Sequence, residues 1–176
     1  MRDEILRVLP EIGWIGNGEL REGVIRTYER ALREGGWAPA DMERIPFTLL
    51  KDTGLSYADH VRAVTRIAQG VYEVFAEVFG DRVPLDRDVL LAGALLHDVG
   101  KLLEIEERDG EFRKSAGGKV LRHPFSGVAL AYAEGLPPEV LHIIGAHSKE
   151  GESHPRTPEG AVIHHADFTC FETVGG

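Results

Sequence analysis

Val89-Leu90-Leu91-Ala92-Gly93-Ala94-Leu95-Leu96-His97-Asp98-Val99-Gly100-Lys101 is the stretch whose reading decides the fold. Residues 87–97 are apolar nearly all round, the mark of a helix buried on every side. Asp86 is its N-cap candidate and Gly100 its stop. This helix carries an ionisable pair, His97-Asp98, into the interior. A buried carboxylate costs several kcal/mol unless a counter-charge or a metal compensates it. A divalent cation supplies that compensation and takes imidazole and carboxylate as ligands.

Working outward, the chain reads as helix after helix. Ser56 and Asp59 have capping-box spacing, which predicts a long helix to Phe79 with Gly80 as its stop and His60 in its first turn. Its expected buried stripe is Val61, Val64, Ile67, Ala68, Val71, Val74, Phe75 and Val78. Further upstream, Asn17 caps a helix over 18–34 that ends at Gly35-Gly36, with Leu20, Val24, Tyr28 and Leu32 on one face. A short helix within 1–16 is interrupted by Pro10, and Pro39 and Pro46 bracket a helical turn near 40–45.

Downstream, the charged segment Ile105–Lys114 contains Asp109-Gly110, a hairpin turn signal. The run Glu104–Arg108 reads as solvated. Helices follow over 123–134, 138–147 and 158–172, with prolines at their starts, and Ser148–Thr157 is a polar loop. The fold class is all-α: a single-domain helical bundle with a small exposed hairpin at 105–114.

Of the 176 residues, 29 are acidic and 20 basic, for a formal charge of -9. That excludes general nucleic-acid binding and attraction to anionic membranes, which need a basic surface. A small phosphorylated substrate is still admitted, because a local metal can outweigh the global charge. The single cysteine, Cys170, excludes an internal disulfide and a cysteine-based zinc site. With no apolar run after Met1-Arg2-Asp3-Glu4, no signal peptide is expected, and the chain reads as cytoplasmic.

Eight histidines make ligation the main question. His60, His97-Asp98, His123, His147 and Asp167 each fall at or near a helix end, or on a helix with an apolar face. Packed as one bundle, five segments bring them to one polar pocket. The order H…HD…H…H…D, with Leu-Leu-His-Asp-Val-Gly-Lys at its centre and His-His-Ala-Asp at its end, resembles the HD-domain superfamily of metal-dependent phosphohydrolases over residues 56–172.

The resemblance implies an HD domain over 51–176, with residues 1–50 a helical extension packed on it. It implies that His60, His97, Asp98 and Asp167 hold a first metal ion, and that His123 and His147 hold a second with Asp98 as the bridge. Lys101 matches a lysine that contacts substrate phosphate or the attacking water. The implied reaction is hydrolysis of a phosphate monoester or nucleotide-type phosphodiester by metal-activated water. Imidazole-rich ligation suits iron, manganese, cobalt or zinc better than magnesium.

The chain lacks the Gly-Tyr-Pro element of the cyclic-dinucleotide branch; His147-Ser148-Lys149-Glu150-Gly151 leads instead to His154-Pro155, which speaks against cyclic di-GMP. The same ligand pattern also resembles the superfamily's di-iron oxygenases, which cleave C–C or C–P bonds; Lys101 favours hydrolysis. A non-catalytic nucleotide-binding module is disfavoured by the full ligand set. His142, His164 and His165 read as structural, and His154 as a loop residue. Lys51, Arg62, Arg66, Arg122 and Lys149 are candidate phosphate contacts set against an ordinary solvated surface.

Overall fold

Helix α4 (Arg87–Leu96) forms the axis of the molecule: Leu90 through Leu96 are all buried. The Asp86 side chain caps it, accepting from the backbone N–H groups of Asp88 and Val89. Around it pack α2 (Gly18–Gly35), α3 (Tyr57–Val78), α7 (Pro138–Ala146) and α8 (Pro158–Thr173). Gly93 lets α7 come close, since a Cβ there would lie 2.6 Å from Ile143. The remaining helices are α1 (Arg2–Val8), α5 (Lys101–Glu104) and α6 (His123–Ala133). This computed structural model describes residues 1–174; Gly175 and Gly176, the end of the expected 51–176 domain, lie outside the described residues.

The expected all-helical bundle is present, with one small hairpin. Strands β1 (Ile105–Arg108) and β2 (Glu111–Lys114) pair antiparallel, Ile105 opposite Lys114. Asp109 and Gly110 have φ of 57° and 80°, the two positive values that a tight type I′ turn demands. Helix α3 starts at the expected capping box, in which Ser56 and Asp59 bond each other's backbone N–H. Asn17 likewise caps α2, and Gly36, at φ 76°, closes it in the left-handed region.

Two expectations are corrected here. The stripe on α3 is buried only as far as Ala68; Val74 and Val78 are each 55% exposed. Twenty-two residues of α3 span about 33 Å, whereas the ten of α4 span about 15 Å, so the distal half of α3 outruns its partner. Gly100 is not a helix stop. Its φ of −65° is right-handed, and the chain passes through it into α5.

Residues 1–50 share the main apolar core: Ile5, Leu9, Ile12, Val24, Tyr28 and Leu32 pack with Leu91, Leu95 and Leu96. The buried Tyr28 hydroxyl donates to the Leu95 carbonyl and contacts the Tyr57 hydroxyl at 3.2 Å. Leu95 lies in the last turn of α4, where carbonyls lack helical partners. Tyr28→Phe should therefore cost about 1–3 kcal/mol, the penalty for stranding a buried acceptor. A urea midpoint equal to wild type, at unchanged slope, would contradict that account.

Candidate metal centre

Six donors meet in the middle of the bundle, and each owes its place to a helix. His60 sits in the first turn of α3. His97 and His147 are the C-cap residues of α4 and α7, His123 opens α6, and Asp167 lies within α8. Asp98 follows His97 directly and is 1% exposed. The structure brings together all six residues singled out in the sequence.

The donors form two groups: His60, His97 and Asp167 in one, Asp98, His123 and His147 in the other, with atoms within 4.8 Å of one another in each. Asp98 stands between them. Its Oδ2 faces His60 Nε2 at 3.3 Å and His97 Nε2 at 3.5 Å. Its Oδ1 faces His123 Nε2 at 3.2 Å and His147 Nε2 at 3.7 Å. Asp167 Oδ1 completes the first group at 3.1 Å from His60 Nε2.

The other side of each ring explains what these nitrogens can do. His97 Nδ1 lies 2.7 Å from the Ala94 carbonyl, and His147 Nδ1 lies 2.8 Å from the Ile144 carbonyl. A carbonyl only accepts, so Nδ1 carries a proton and Nε2 is the ring nitrogen turned inward. Across the groups, His60 Nε2 approaches His97 Nε2 at 3.1 Å, and His123 Nε2 approaches His147 Nε2 at 3.4 Å. Ring nitrogens and carboxylate oxygens gathered this closely need positive charge among them, from protons or from a bound cation.

Asp98 makes the same point. Its Oδ2 is buried and accepts no hydrogen bond from the described residues. Lys101 Nζ forms an ion pair with it at 2.6 Å. The site thus holds a buried, ion-paired carboxylate within reach of several imidazole donors, a set that fits a divalent transition metal.

Burial works against ionisation of Asp98, yet the Lys101 ammonium and His97 hold its carboxyl well below the usual range. Burial likewise opposes ionisation of Asp167, but the hydrogen bond with His60 and nearby histidines bring it to about 2. His60 is pushed up: the Asp167 and Asp98 carboxylates outweigh its desolvation. His123 is pushed down by burial, against the opposing pull of Glu104.

The sequence missed two residues that touch this cluster. The Phe47 ring stacks on His60, centroids 4.8 Å apart, while its carbonyl accepts from Lys101 Nζ at 2.7 Å. Phe171 meets Phe47 edge-on at 6.3 Å. Phe47 stands in a segment with no motif, so only the folded chain reveals it. Glu104 is the second. It is 6% exposed and lies 2.9 Å from His123 Nδ1, which corrects the solvated reading at the start of the 104–108 run; Glu107 and Arg108 are exposed.

The secondary candidates also find places. Arg62 and Arg66 lie against the fully buried Glu11, at 3.2 and 2.8 Å, not against the donors. Arg122 pairs with Glu150, while Lys51 and Lys149 are exposed. His164 Nδ1 donates to the His147 carbonyl, His142 Nε2 accepts from the Thr157 N–H, and His154 is an exposed neighbour of Ser153. His165 lines an apolar surface groove of about 390 Å³ with Ile67, Val71 and Phe75. A second cleft, of about 830 Å³, runs past Asn17, Asp88 and Glu134. Neither includes a donor. The cluster meets solvent instead at Asp167 and Lys101, whose side chains are 15% and 17% exposed.

The profile of the HD-domain family matches residues 57–169. This chain belongs to the HD-domain family. Within it, the chain is 35% identical over 111 residues to the dihydroneopterin 2',3'-cyclic phosphate phosphodiesterase of Methanocaldococcus jannaschii. That alignment covers 62% of this chain and 43% of the archaeal protein, so the chain spans less than half of that relative. No solved structure matches it significantly. No helix among the described residues is long and apolar enough to cross a membrane.

Proposed function

We propose that this HD domain hydrolyses a small phosphodiester or phosphate monoester at a two-ion centre. One ion falls to His60, His97, Asp98 and Asp167, and the other to Asp98, His123 and His147. The observation that carries this reading is Asp98, whose two oxygens face two separate donor groups from one buried position. Two bound divalent ions supply a water acidified towards neutrality and positive charge for the phosphoryl oxygens.

The chain's own part is positioning and electrostatics. His97 and His147, set by main-chain carbonyls, hold their lone pairs at the centre without rearrangement. Lys101, anchored on the Phe47 carbonyl at the solvent-facing edge, stabilises charge that grows on the phosphoryl group. Phe47, stacked on His60 and 2% exposed, shields that side of the centre from water, with Phe171 against its edge. The archaeal relative, named for a cyclic phosphate, supports a diester over a monoester. Iron, manganese, cobalt or zinc suit the imidazole-rich set better than magnesium. Residues 51–176 hold every donor, with 1–50 as a helical buttress. A reducing, cytoplasmic setting suits a chain with one cysteine.

The test is anaerobic hydrolysis of a panel of cyclic phosphates, nucleotides and phosphate monoesters with manganese or ferrous iron. Metal-dependent ester cleavage supports the reading. Oxygen consumption requiring ferrous iron, with no cleavage of any ester, overturns it in favour of the oxygenase branch. Lys101→Met should lower kcat by about 10²–10³-fold, the cost of removing one preorganised charge donor, at unchanged metal content. A loss confined to metal content would remove Lys101 from catalysis.

A further inference from the structure

Among the six donors, three rings have an Nδ1 partner described above, and of these His123 is set differently. His97 and His147 bond main-chain carbonyls of their own helices, which no side-chain substitution removes. His123 depends on a side chain. Glu104 Oε2 lies 2.9 Å from His123 Nδ1 and accepts from the His123 backbone N–H at 2.8 Å. That N–H opens α6, whose N-cap residue Arg122 supplies no capping side chain. One carboxylate thus fixes both the ring and the helix that carries it.

Glu104 is itself held from the hairpin. Lys114 Nζ, on β2, lies 3.0 Å from Glu104 Oε1, and Arg122 Nη1 lies 3.7 Å from the same oxygen. The Ser115 N–H donates to the Glu104 carbonyl at 2.9 Å. Gly118 packs so tightly on this backbone that a Cβ there would lie 2.3 Å from the Glu104 oxygen. The hairpin and the segment after it therefore clamp a residue that touches the cluster only through the outer side of the His123 ring.

We propose that Glu104 is the positioning residue of the second ion. It fixes the tautomer and orientation of His123, strengthens that ring as a donor, and ties occupancy of the second ion to the hairpin through Lys114. The inference rests on the two-ion reading. A carboxylate behind a ligating histidine typically contributes 10–100-fold in metal affinity. Here that effect falls on one ion of the pair, because nothing in the His60–His97–Asp167 group bonds Glu104.

The experiment is equilibrium dialysis of the full chain against Mn²⁺, with electron paramagnetic resonance on the same samples. Glu104→Gln keeps the shape and one acceptor oxygen; Glu104→Ala removes both bonds. Wild type should bind two ions per chain with a spin-coupled signal. Glu104→Ala should keep the first ion at wild-type affinity, lose the second by about 10–100-fold, and show an isolated-ion spectrum. Glu104→Gln and Lys114→Met should fall between. Retention of the first ion separates this outcome from a fold that has collapsed. Glu104→Ala with two coupled ions at wild-type affinity overturns the proposal, and so does equal loss of both ions in the Gln and Ala variants. A wild-type chain that binds a single ion overturns the two-ion reading and this proposal with it.

Discussion

Asp98→Asn is expected to empty both ion sites and to lower turnover by about 10⁴-fold or more. The substitution keeps the shape of a side chain that is 1% exposed, so packing survives. It removes the one charge that both donor groups share. Catalytic ions contribute several kcal/mol of transition-state stabilisation, and each 1.36 kcal/mol is tenfold in rate. Removing a terminal donor such as Asp167 leaves the second group intact, whereas Asp98 has oxygens within 3.7 Å of His60, His97, His123 and His147. Stability reports the same loss. An ion that binds only the folded state adds about 2.7 kcal/mol at a hundred times its Kd. Manganese should then raise the Tm of wild type by about 5–11 °C for each ion bound and leave that of Asp98→Asn unmoved. Metal analysis after dialysis checks the point: an Asn variant that keeps two ions refutes the assignment of Asp98.

The second large effect belongs to Gly100→Ala, a change of one methyl group. A Cβ at Gly100 would lie 2.1 Å from the His123 carbonyl oxygen, 2.6 Å from Ser126 Oγ and 2.8 Å from the Gly127 nitrogen. Two of these atoms are main chain, so no rotamer change relieves the overlap. The turn after α4 and the start of α6 must separate. Overpacking of this kind costs about 3 kcal/mol, or roughly 6–12 °C in Tm for a chain of this size. The displaced segment carries His123, so second-ion affinity should fall together with stability. A Gly100→Ala protein that melts with wild type would show that the two segments do not meet this closely.

The same glycine shows where sequence reasoning stopped. At the end of an apolar run a glycine signals a helix stop, and the tertiary constraint that requires it leaves no trace in the local pattern. The donors were legible for the opposite reason. His97-Asp98 follows a helix too apolar to face water, and a titratable pair there must answer to a charge. The helix boundaries were legible through Ser56, Asn17 and Asp86, because capping depends on neighbours within one turn. The exposed tail of α3 was not. Val74 and Val78 continue the periodicity, but burial depends on whether a partner helix reaches that far. Glu104 was hidden among charged neighbours, since no local rule tells a solvated carboxylate from one that a distant imidazole will bury. Phe47 had no pattern to betray it at all.

The Nδ1 bonds of His97 and His147 also bear on the order in which the centre is assembled. Each ring is held by a carbonyl three residues earlier in its own helix. Rotamer and tautomer can be settled as soon as that helical turn exists, before any distant segment arrives. Once α4 and α7 are formed, these two donors need no distant residue to orient them. His123 takes its partner from 19 residues away. Its orientation therefore depends on the hairpin turning back and on α6 starting where it does, a tertiary requirement that the other two rings do not share.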